Sequence, residues 1–329
     1  QTTHNALALV EMTGIACPVA RGAEQPLVIE CRPYPAMVHG EDGMGGCSPA
    51  QVGGSVVMDH AVDFIIQAAR AHPGEVTLVP IGPLTNIALA LQKEPKLPKL
   101  IKRVVLMGGA AHANGNVTPA AEANIFDDPE AAEMVFAADW DVAMLGLDAT
   151  HDVKLTRERV AVLAEKGGDL GAFLQQASAQ YFAFHQDVVG LDFCHFHDPS
   201  ALIYCVRPQF FSAQASSVRV VTQGFAAGKT IAKPNTRFTA QDGWDNRARV
   251  EVCLSADGSA VLGHYMHVMS ASRAALSACL ILEVTSTYAE CSPKRALFVQ
   301  CVDVSCFWSS RISGLSKSLH KLCIHACTQ

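Results

Sequence analysis

The chain has 329 residues, half of them hydrophobic, and carries a formal net charge of −6. That length is enough for one large α/β domain or two small ones. The charges form no basic stripe, which argues against nucleic-acid binding because such binding depends on phosphate neutralisation. No apolar run reaches membrane-spanning length, and no signal peptide or membrane partner is predicted.

The twelve cysteines do not form the pattern of a disulfide framework. Six lie irregularly between Cys17 and Cys253, and the other six lie between Cys279 and Cys327. There is no Cys-x-x-Cys pair, so a zinc knuckle is not predicted. The early cysteines sit in apolar surroundings, and we expect core thiols of a reducing, cytoplasmic compartment.

In chain order, the first predicted element is a helix over QTTHNALALVEMTGI. Because a natural protein rarely begins in mid-element, we expect that sequence upstream of Gln1 has been lost. Apolar runs without alternation then predict strands that are buried on both faces, and they begin EVTLVPIG, IKRVVLMGG and WDVAMLGL. Helical patterns occupy about 56–71, 128–138, 156–166 and 170–186, and a further helix after Pro83 is expected to be capped near Thr85 or Asn86.

Alternating strands and helices predict an α/β fold with an open, mostly parallel sheet and helices on both faces. Ligands bind such sheets at the carboxyl ends of the strands. Polar clusters in this chain follow 79–81, 105–107 and 145–147, which are predicted strand ends. We assign residues 1–265 to this domain. Residues 266–329 are rich in Ser and Cys, basic and without clear periodicity, and we expect them to be an appended segment or translation outside the true reading frame.

Two short motifs each have a structural and a functional interpretation. In FHDPSALIY, residues 196–204, Asp198 either caps the coming helix while His197 fills space, or it is an acceptor carboxylate beside a titratable acid. The stretch MVHGEDGMGG, residues 37–46, is either a set of turns or a mobile lid over a site.

The segment GNVTPAAEANIFDDPEAA, residues 115–132, concentrates polar groups after a predicted strand. Asp128 followed by Pro129 predicts a helix start, which leaves Glu122 and Asn124 without a local role. A carboxylate and amides at a strand end suit a polyol such as ribose, since the carboxylate accepts from hydroxyls and the amides donate and accept.

Together and in this order, these segments resemble the nucleoside hydrolases, the inosine-uridine-preferring N-ribohydrolases. The resemblance runs in register from residue 1 to about residue 250, and its most specific block extends from VLMGGA to DPEAA. It implies an enzyme that hydrolyses the N-glycosidic bond of ribonucleosides to ribose and base. It also implies one bound Ca²⁺ at the strand carboxyl ends and a homo-oligomer, a dimer or tetramer, at full length.

The resemblance also implies roles for individual residues. The implied calcium ligands are Asp198 and the main-chain carbonyl of Ile81. His197 would protonate the leaving base. The implied substrate-binding residues are Asn116, Glu122 and Asn124 for ribose, Met107 near the sugar, and His39, Tyr181 and His185 around the base.

The chain departs from the family pattern in two places. The aspartate-rich motif DTDPGxDDA, which supplies two calcium ligands and the general base, occurs nowhere in the sequence, and we expect the first strand to be missing with it. Ala123 stands where the family usually has Phe, which should loosen the wall of the sugar pocket. Two hypotheses therefore stand: a calcium-dependent hydrolase whose sequence lacks its start, or a non-catalytic riboside-binding relative or inactive fragment. A sugar-binding protein of the periplasmic type would predict a signal peptide and two similar lobes, and neither is seen.

Overall fold

A computed structural model of the chain describes residues 1–15, 17–56, 60–234 and 243–270, and the backbone of 297–300 and 323–327. Nine of the described strands form one sheet in the order β1-β11-β10-β2-β3-β4-β9-β7-β8, and β5 pairs with β6 separately. The strands are β1 (Val19–Arg21), β2 (Val76–Leu78), β3 (Ile101–Met107), β4 (Val142–Leu145), β5 (Lys154–Thr156), β6 (Phe193–His195), β7 (Phe211–Val220), β8 (Thr230–Pro234), β9 (Val250–Ala256), β10 (Leu297–Gln300) and β11 (Cys323–Cys327).

The helices lie mostly between these strands. They are α1 (Thr2–Thr13), α2 (Ala36–His39), α3 (Ala61–Ala71), α4 (Thr85–Lys93), α5 (Leu97–Leu100), α6 (Ala123–Asp127), α7 (Pro129–Ala137), α8 (Leu147–Thr150), α9 (Arg157–Lys166), α10 (Gly168–Phe184), α11 (Asp198–Val206) and α12 (Gly258–Ser270). A π-helical turn, His185–Val189, continues α10, and a 3₁₀ turn spans Pro208–Phe210. In the described parts of the chain, no helix is both long enough and apolar enough to cross a membrane.

The sheet is mostly parallel, as the apolar runs predicted. All neighbouring strands from β1 to β9 run parallel, whereas β7 runs antiparallel to both β9 and β8. Every residue of β2 and β4 is buried. Because successive side chains of a strand point to opposite faces, both faces of the sheet are covered at these strands. The α/β fold with an open, mostly parallel sheet is therefore confirmed.

Most of the predicted helices are present, with shifted ends. The helix expected over 56–71 begins at Ala61, and residues 57–59 lie outside the described part of the chain. Asp128 caps α7 by accepting from the Ala131 N–H at 3.1 Å, with Pro129 at the first helical position, as predicted. The pattern at 170–186 gives α10 and then the π-helical turn, a feature that often occurs at functional sites.

The predicted cap of α4 was wrong. Leu84 holds the N-cap position, and its side chain makes no capping hydrogen bond. Thr85 donates instead to Asp128 Oδ2 at 2.6 Å, and Asn86 Oδ1 accepts from the Ala23 N–H at 2.9 Å. Both side chains are used to tie distant loops to the start of the helix, so neither is free to cap it.

The segment that follows Asp141 is more broken than its apolar pattern indicated. The strand predicted there ends at Leu145, and Leu147 already begins the short helix α8. β5 follows after one further turn and pairs antiparallel with β6. This small second sheet matters for the site because it positions the residues on both sides of β6.

Within residues 266–329, residues 266–270 end α12, and two further parts have a described backbone as strands. β10 pairs with β2, β11 pairs with β10 and with β1, and all three pairings are parallel. These strands complete the sheet between β1 and β2. The assignment of this segment as foreign to the domain stays a prediction.

The six cysteines whose side chains the structure describes, from Cys17 to Cys253, are free thiols. Cys17, Cys194 and Cys253 are buried, and the others are half-buried. Burial raises the pKa of the Cys194 and Cys253 thiols to about 12, so both stay protonated and behave as core side chains.

Candidate active site

The carboxyl ends of three central strands meet through main-chain hydrogen bonds. The Met107 N–H at the end of β3 donates to Pro80 O at 3.0 Å, and the Gly108 N–H donates to Leu145 O at 3.1 Å. Ile81, whose carbonyl is a predicted metal ligand, directly follows Pro80 and is buried. The predicted clusters after β2, β3 and β4 therefore lie at one edge of the sheet, as expected for parallel strands.

Glu122 is at the centre of this edge and has a structural role that sequence reasoning missed. It caps α6, where Oε1 accepts from the Asn124 N–H at 3.0 Å and Oε2 accepts from the Ile125 N–H at 3.2 Å. Oε2 also accepts from the Gly109 N–H at 2.8 Å. The expectation that Glu122 lacks a local role was wrong, because its carboxylate joins the glycine loop after β3 to the start of α6.

Burial places the Glu122 carboxyl in an unusual electrostatic environment. The side chain is 2% exposed, and burial raises its pKa to about 7. The three backbone N–H groups act in the opposite direction, and the negative charge of Asp198 raises the pKa further. Glu122 and Asp198 are therefore electrostatic neighbours, although 76 positions separate them in the numbering.

Asp198 is buried, with 5% exposure, at the first position of α11. His197 holds the N-cap position and makes no side-chain capping bond, so the interpretation of Asp198 as the cap was wrong. An acid at this position still interacts favourably with the positive end of the helix dipole.

Hydrogen bonds within the loop also hold the two predicted ribose-binding amides. Asn124 Nδ2 donates to the Met107 carbonyl at 3.0 Å. Asn116 Oδ1 accepts from the Ala123 N–H at 3.0 Å. The structure thus brings Met107, Asn116, Glu122 and Asn124 into one hydrogen-bonded loop system.

The glycines of this edge allow close approach of the backbone. Gly109 has a φ of 86°, and a Cβ there would lie 2.9 Å from Thr230 Cγ2. A Cβ on Gly146 would lie 2.7 Å from the carbonyl oxygen of Gly109. Asp148, which sequence reasoning did not place at the site, accepts from the N–H groups of three successive loop residues at 2.7–2.9 Å: Ala111, His112 and Ala113.

The stretch at 37–46 contains the end of α2 and then a set of turns around Asp42. Its carboxylate accepts from the N–H groups of Met44, Gly46 and Ser48. Burial alone would raise the pKa of Asp42, but these three amides hold it below its ordinary value. A Cβ on Gly45 would lie 2.4 Å from the Ala177 carbonyl oxygen, so the turns pack closely on α10.

A cavity that opens to solvent lies between these turns, α10 and β6. The predicted residues His39, Tyr181 and His197 line it together. The His39 and Tyr181 rings are stacked, with centroids 5.9 Å apart, and His185 meets the Tyr181 ring at 4.3 Å. The predicted base-binding residues are therefore neighbours, and they offer flat rings for stacking and ring nitrogens for hydrogen bonding.

Four imidazoles form a cluster beside this cavity, which we call the histidine cluster: His151, His185, His195 and His197. The His195 ring centroid lies 4.4 Å from that of His151, 5.6 Å from that of His197 and 6.5 Å from that of His185. Sequence reasoning missed His151 and His195. The alternation of His195 and His197 was an available signal, because residues two apart in an extended segment point to the same side.

The cluster is held in the neutral state. Burial first, and then the neighbouring imidazoles, lower the pKa of His197 well below its ordinary value. Burial likewise lowers the pKa of His195 to about 4. Thr150 Oγ1 lies 2.8 Å from His197 Nδ1, which leaves Nε2 as the nitrogen that can meet a ligand.

The described residues do not make up a complete calcium site. Ca²⁺ takes roughly six to eight oxygen ligands, whereas the predicted set offers one carboxylate and one main-chain carbonyl. Within the ranges that the structure describes, no group of three or more His, Cys, Asp or Glu side chains is arranged to hold a metal ion.

Comparison with known proteins agrees with this geometry. Residues 1–263 match the sequence profile of the family described as inosine-uridine preferring nucleoside hydrolase. The chain belongs to the nucleoside hydrolase family. Its members are enzymes, and the family is generally metal-dependent.

Several curated relatives cover most of this family member. A probable uridine nucleosidase 2 from Arabidopsis thaliana is 35% identical over 263 residues, 79% of this chain and 82% of that protein. An inosine-uridine preferring nucleoside hydrolase from Leishmania major is 38% identical over 238 residues, 70% of this chain and 74% of that protein.

Solved structures of the family share the fold. A plant nucleoside hydrolase superposes with a TM-score of 0.79 at 33% identity, covering 82% of this chain and 86% of that one. A purine-preferring ribonucleoside hydrolase from Gardnerella vaginalis superposes with a TM-score of 0.74 at 30% identity, and the match covers 81% of this chain and 84% of that one.

Proposed function

We propose that this chain hydrolyses the N-glycosidic bond of ribonucleosides to ribose and free base in nucleoside catabolism. One observation carries the proposal. The buried Glu122 loop and the ring-lined cavity adjoin, because Asp198, the electrostatic neighbour of Glu122, directly follows His197 of the cavity wall. A polar group for the sugar and a flat pocket for the base are thereby joined at one sheet edge.

The sugar would bind at the polar loop. Glu122 and Asn124 would receive the ribose hydroxyls together with Asn116, while Met107 would contact the ring. During cleavage the C1′ carbon becomes cationic, and the carboxylates of Glu122 and Asp198 would stabilise that charge in a site with little water. Binding energy of the sugar would in this way position the reacting carbon.

The base would bind in the cavity. Tyr181 and His39 offer their ring faces, and His185 supports Tyr181 at 4.3 Å. His197 would donate from Nε2 to the departing base, which leaves poorly as an anion. Burial lowers the pKa of His197, so the ring is neutral in the free protein. It would take up a proton from solvent as the base departs and pass it to the base from Nε2, while the water that attacks C1′ returns one proton to solvent.

Calcium is the metal that we propose, since Asp198 and the Ile81 carbonyl are hard oxygen donors. They are too few to complete a site, so no step above runs through the metal. Titration calorimetry with CaCl₂ tests this part separately. We expect binding to the wild-type chain and weaker binding to Asp198→Ala, and an absence of heat with both would contradict it.

A second candidate is a riboside-binding protein without turnover. It is favoured by the described residues, among which no group of three or more His, Cys, Asp or Glu side chains is arranged to hold a metal ion. It would make the same contacts with the sugar and the base, but it would not hydrolyse the bond between them.

One experiment separates these candidates. The chain is incubated with uridine and with inosine, with and without CaCl₂, and released ribose is measured. The hydrolase proposal expects ribose and base in equal amounts, and strong loss of activity in Glu122→Gln but not in Glu165→Gln, where Glu165 is an exposed carboxylate of α9. Nucleoside binding without product would favour the second candidate, and neither binding nor product would contradict both.

Two further properties belong to the proposal. We infer a homo-oligomer, which sedimentation would reveal as a dimer or tetramer, and a cytoplasmic location, consistent with the free thiols among the described cysteines.

A further inference from the structure

Two charged side chains from distant parts of the chain hold the start of the loop that carries the proposed sugar-binding residues. We call residues 109–124 the sugar loop. The Asp148 carboxylate accepts from the N–H groups of three successive residues of this loop at 2.7–2.9 Å. Lys229 Nζ donates to the main-chain oxygens of Ala110 at 2.7 Å and of Ala113 at 3.3 Å. The loop therefore places its amides on a carboxylate and its carbonyls on an ammonium group.

The two charged groups have complementary tasks. An ammonium group only donates hydrogen bonds and a carboxylate only accepts them, so each holds the backbone groups that the other cannot. The negative charge of Asp148 raises the pKa of Lys229, whereas burial lowers it, so the two groups are electrostatic neighbours. Charge-assisted hydrogen bonds of this kind are stronger than those between neutral groups.

The turn between β7 and β8, which carries Lys229, also contacts the loop at two other places. Thr230 Oγ1 accepts from the Ala110 N–H at 2.8 Å. Gly228 has a φ of 85°, and a Cβ there would lie 2.8 Å from Ala121 Cβ, directly before Glu122. The turn therefore contacts the sugar loop at its start and again beside its buried carboxylate.

We propose that Lys229 is a positioning residue that sets the affinity of the site for the sugar by holding the sugar loop, with Asp148 as its counterpart on the amide side. This rests on the proposed function, because it takes Asn116, Glu122 and Asn124 as the sugar contacts. A displacement of about 1 Å in such a site can cost roughly a hundredfold in rate. The base cavity has most of its lining from α2, α10 and β6, so the affinity for a free base should not depend on Lys229.

Two small ligands separate the sugar site from the base site. The first is 1,4-anhydro-D-ribitol, a ribose ring without a base, and the second is uracil, a base without a sugar. Lys229→Met removes the donors and the charge, and Lys229→Arg returns both. Lys102→Met, which removes an exposed lysine at the opposite end of β3, is the matched control. Titration calorimetry in the presence of CaCl₂ gives the dissociation constant of each ligand, and circular dichroism checks that each variant is folded.

We expect Lys229→Met to bind anhydroribitol about tenfold more weakly than the wild-type chain and to bind uracil within about twofold of it. Lys229→Arg should recover part of the sugar affinity, and Lys102→Met should change neither constant. The comparison of the two ligands is decisive, because a merely structural role of Lys229 would weaken both alike. If Lys229→Met does not fold, Lys229→Gln, which loses the charge but keeps a polar group, is measured in the same way.

An unchanged affinity for anhydroribitol, or equal weakening of both ligands, would overturn the proposal while leaving the proposed function in place. A wild-type chain that does not bind anhydroribitol would also overturn it. A wild-type chain that binds neither ligand and no uridine would overturn the proposed function as well.

Discussion

Replacing Glu122 by alanine removes the common acceptor of three backbone N–H groups, those of Gly109, Asn124 and Ile125. Loss of a helix cap alone costs about 1–2 kcal/mol. The Gly109 donor is buried as well, and leaving it unpaired adds about 1–3 kcal/mol where water cannot replace the carboxylate.

The cost should depend on pH, because burial raises the pKa of Glu122 to about 7 in the folded chain, against an ordinary value of 4.5. The folded pKa is the higher one, so the stability linked to this proton is fully present below 4.5 and is lost as the pH rises through 7. Between about pH 5 and about pH 8 the change in unfolding free energy amounts to about 2–3 kcal/mol. Glu122→Ala has no such group, so its penalty should be larger at the lower pH by that amount.

Urea unfolding followed by circular dichroism at both pH values measures this difference directly. Glu165→Ala, which removes an exposed carboxylate from α9, is the matched control and should change the unfolding free energy little at either pH. An equal penalty for Glu122→Ala at the two pH values would refute the electrostatic description of this loop.

Three further substitutions test other contacts. Thr150→Val removes the hydroxyl that lies 2.8 Å from His197 Nδ1, and steady-state kinetics should give a kcat about tenfold lower with little change in KM; a rise in KM alone would argue against this positioning role. The pKa of His195 is depressed from 6.5 to about 4, so its stability contribution is present above 6.5 and is lost as the pH falls through 4. On acidification the free energy of unfolding should therefore fall less in His195→Phe than in the wild-type chain, by up to about 3 kcal/mol. An equal fall in both chains would contradict this. Gly146→Ala would push a Cβ to 2.7 Å from a neighbouring carbonyl oxygen, and calorimetry should give a Tm several degrees lower. Gly263→Ala, in open space on α12, should instead leave the Tm equal or higher.

The architecture could be predicted from local patterns. The apolar run 104–107 of β3 and the Asp128-Pro129 pair determine nearby backbone conformation, and the structure has the strand and the helix start where they indicate. The position of the polar clusters at one edge of the sheet could also be predicted, because parallel strands have their carboxyl ends at the same edge.

Roles that depend on distant partners could not be predicted. Thr85 has the residue type of a helix cap, yet its hydroxyl bonds to Asp128, 43 positions away. Glu122 receives the N–H of Gly109 across a loop. His151 and His195 meet because β5 and β6 pair. The periodicity of the sequence does not predict an antiparallel contact between segments so far apart in the chain.

A crystal structure with a bound ribonucleoside tests the central claim most directly. The account predicts the base against Tyr181 and His197 in the cavity beside α10 and β6, with the ribose hydroxyls on Glu122 and Asn124. A nucleoside bound in the separate pocket beside Arg32, or one whose sugar faces away from Glu122, would contradict it.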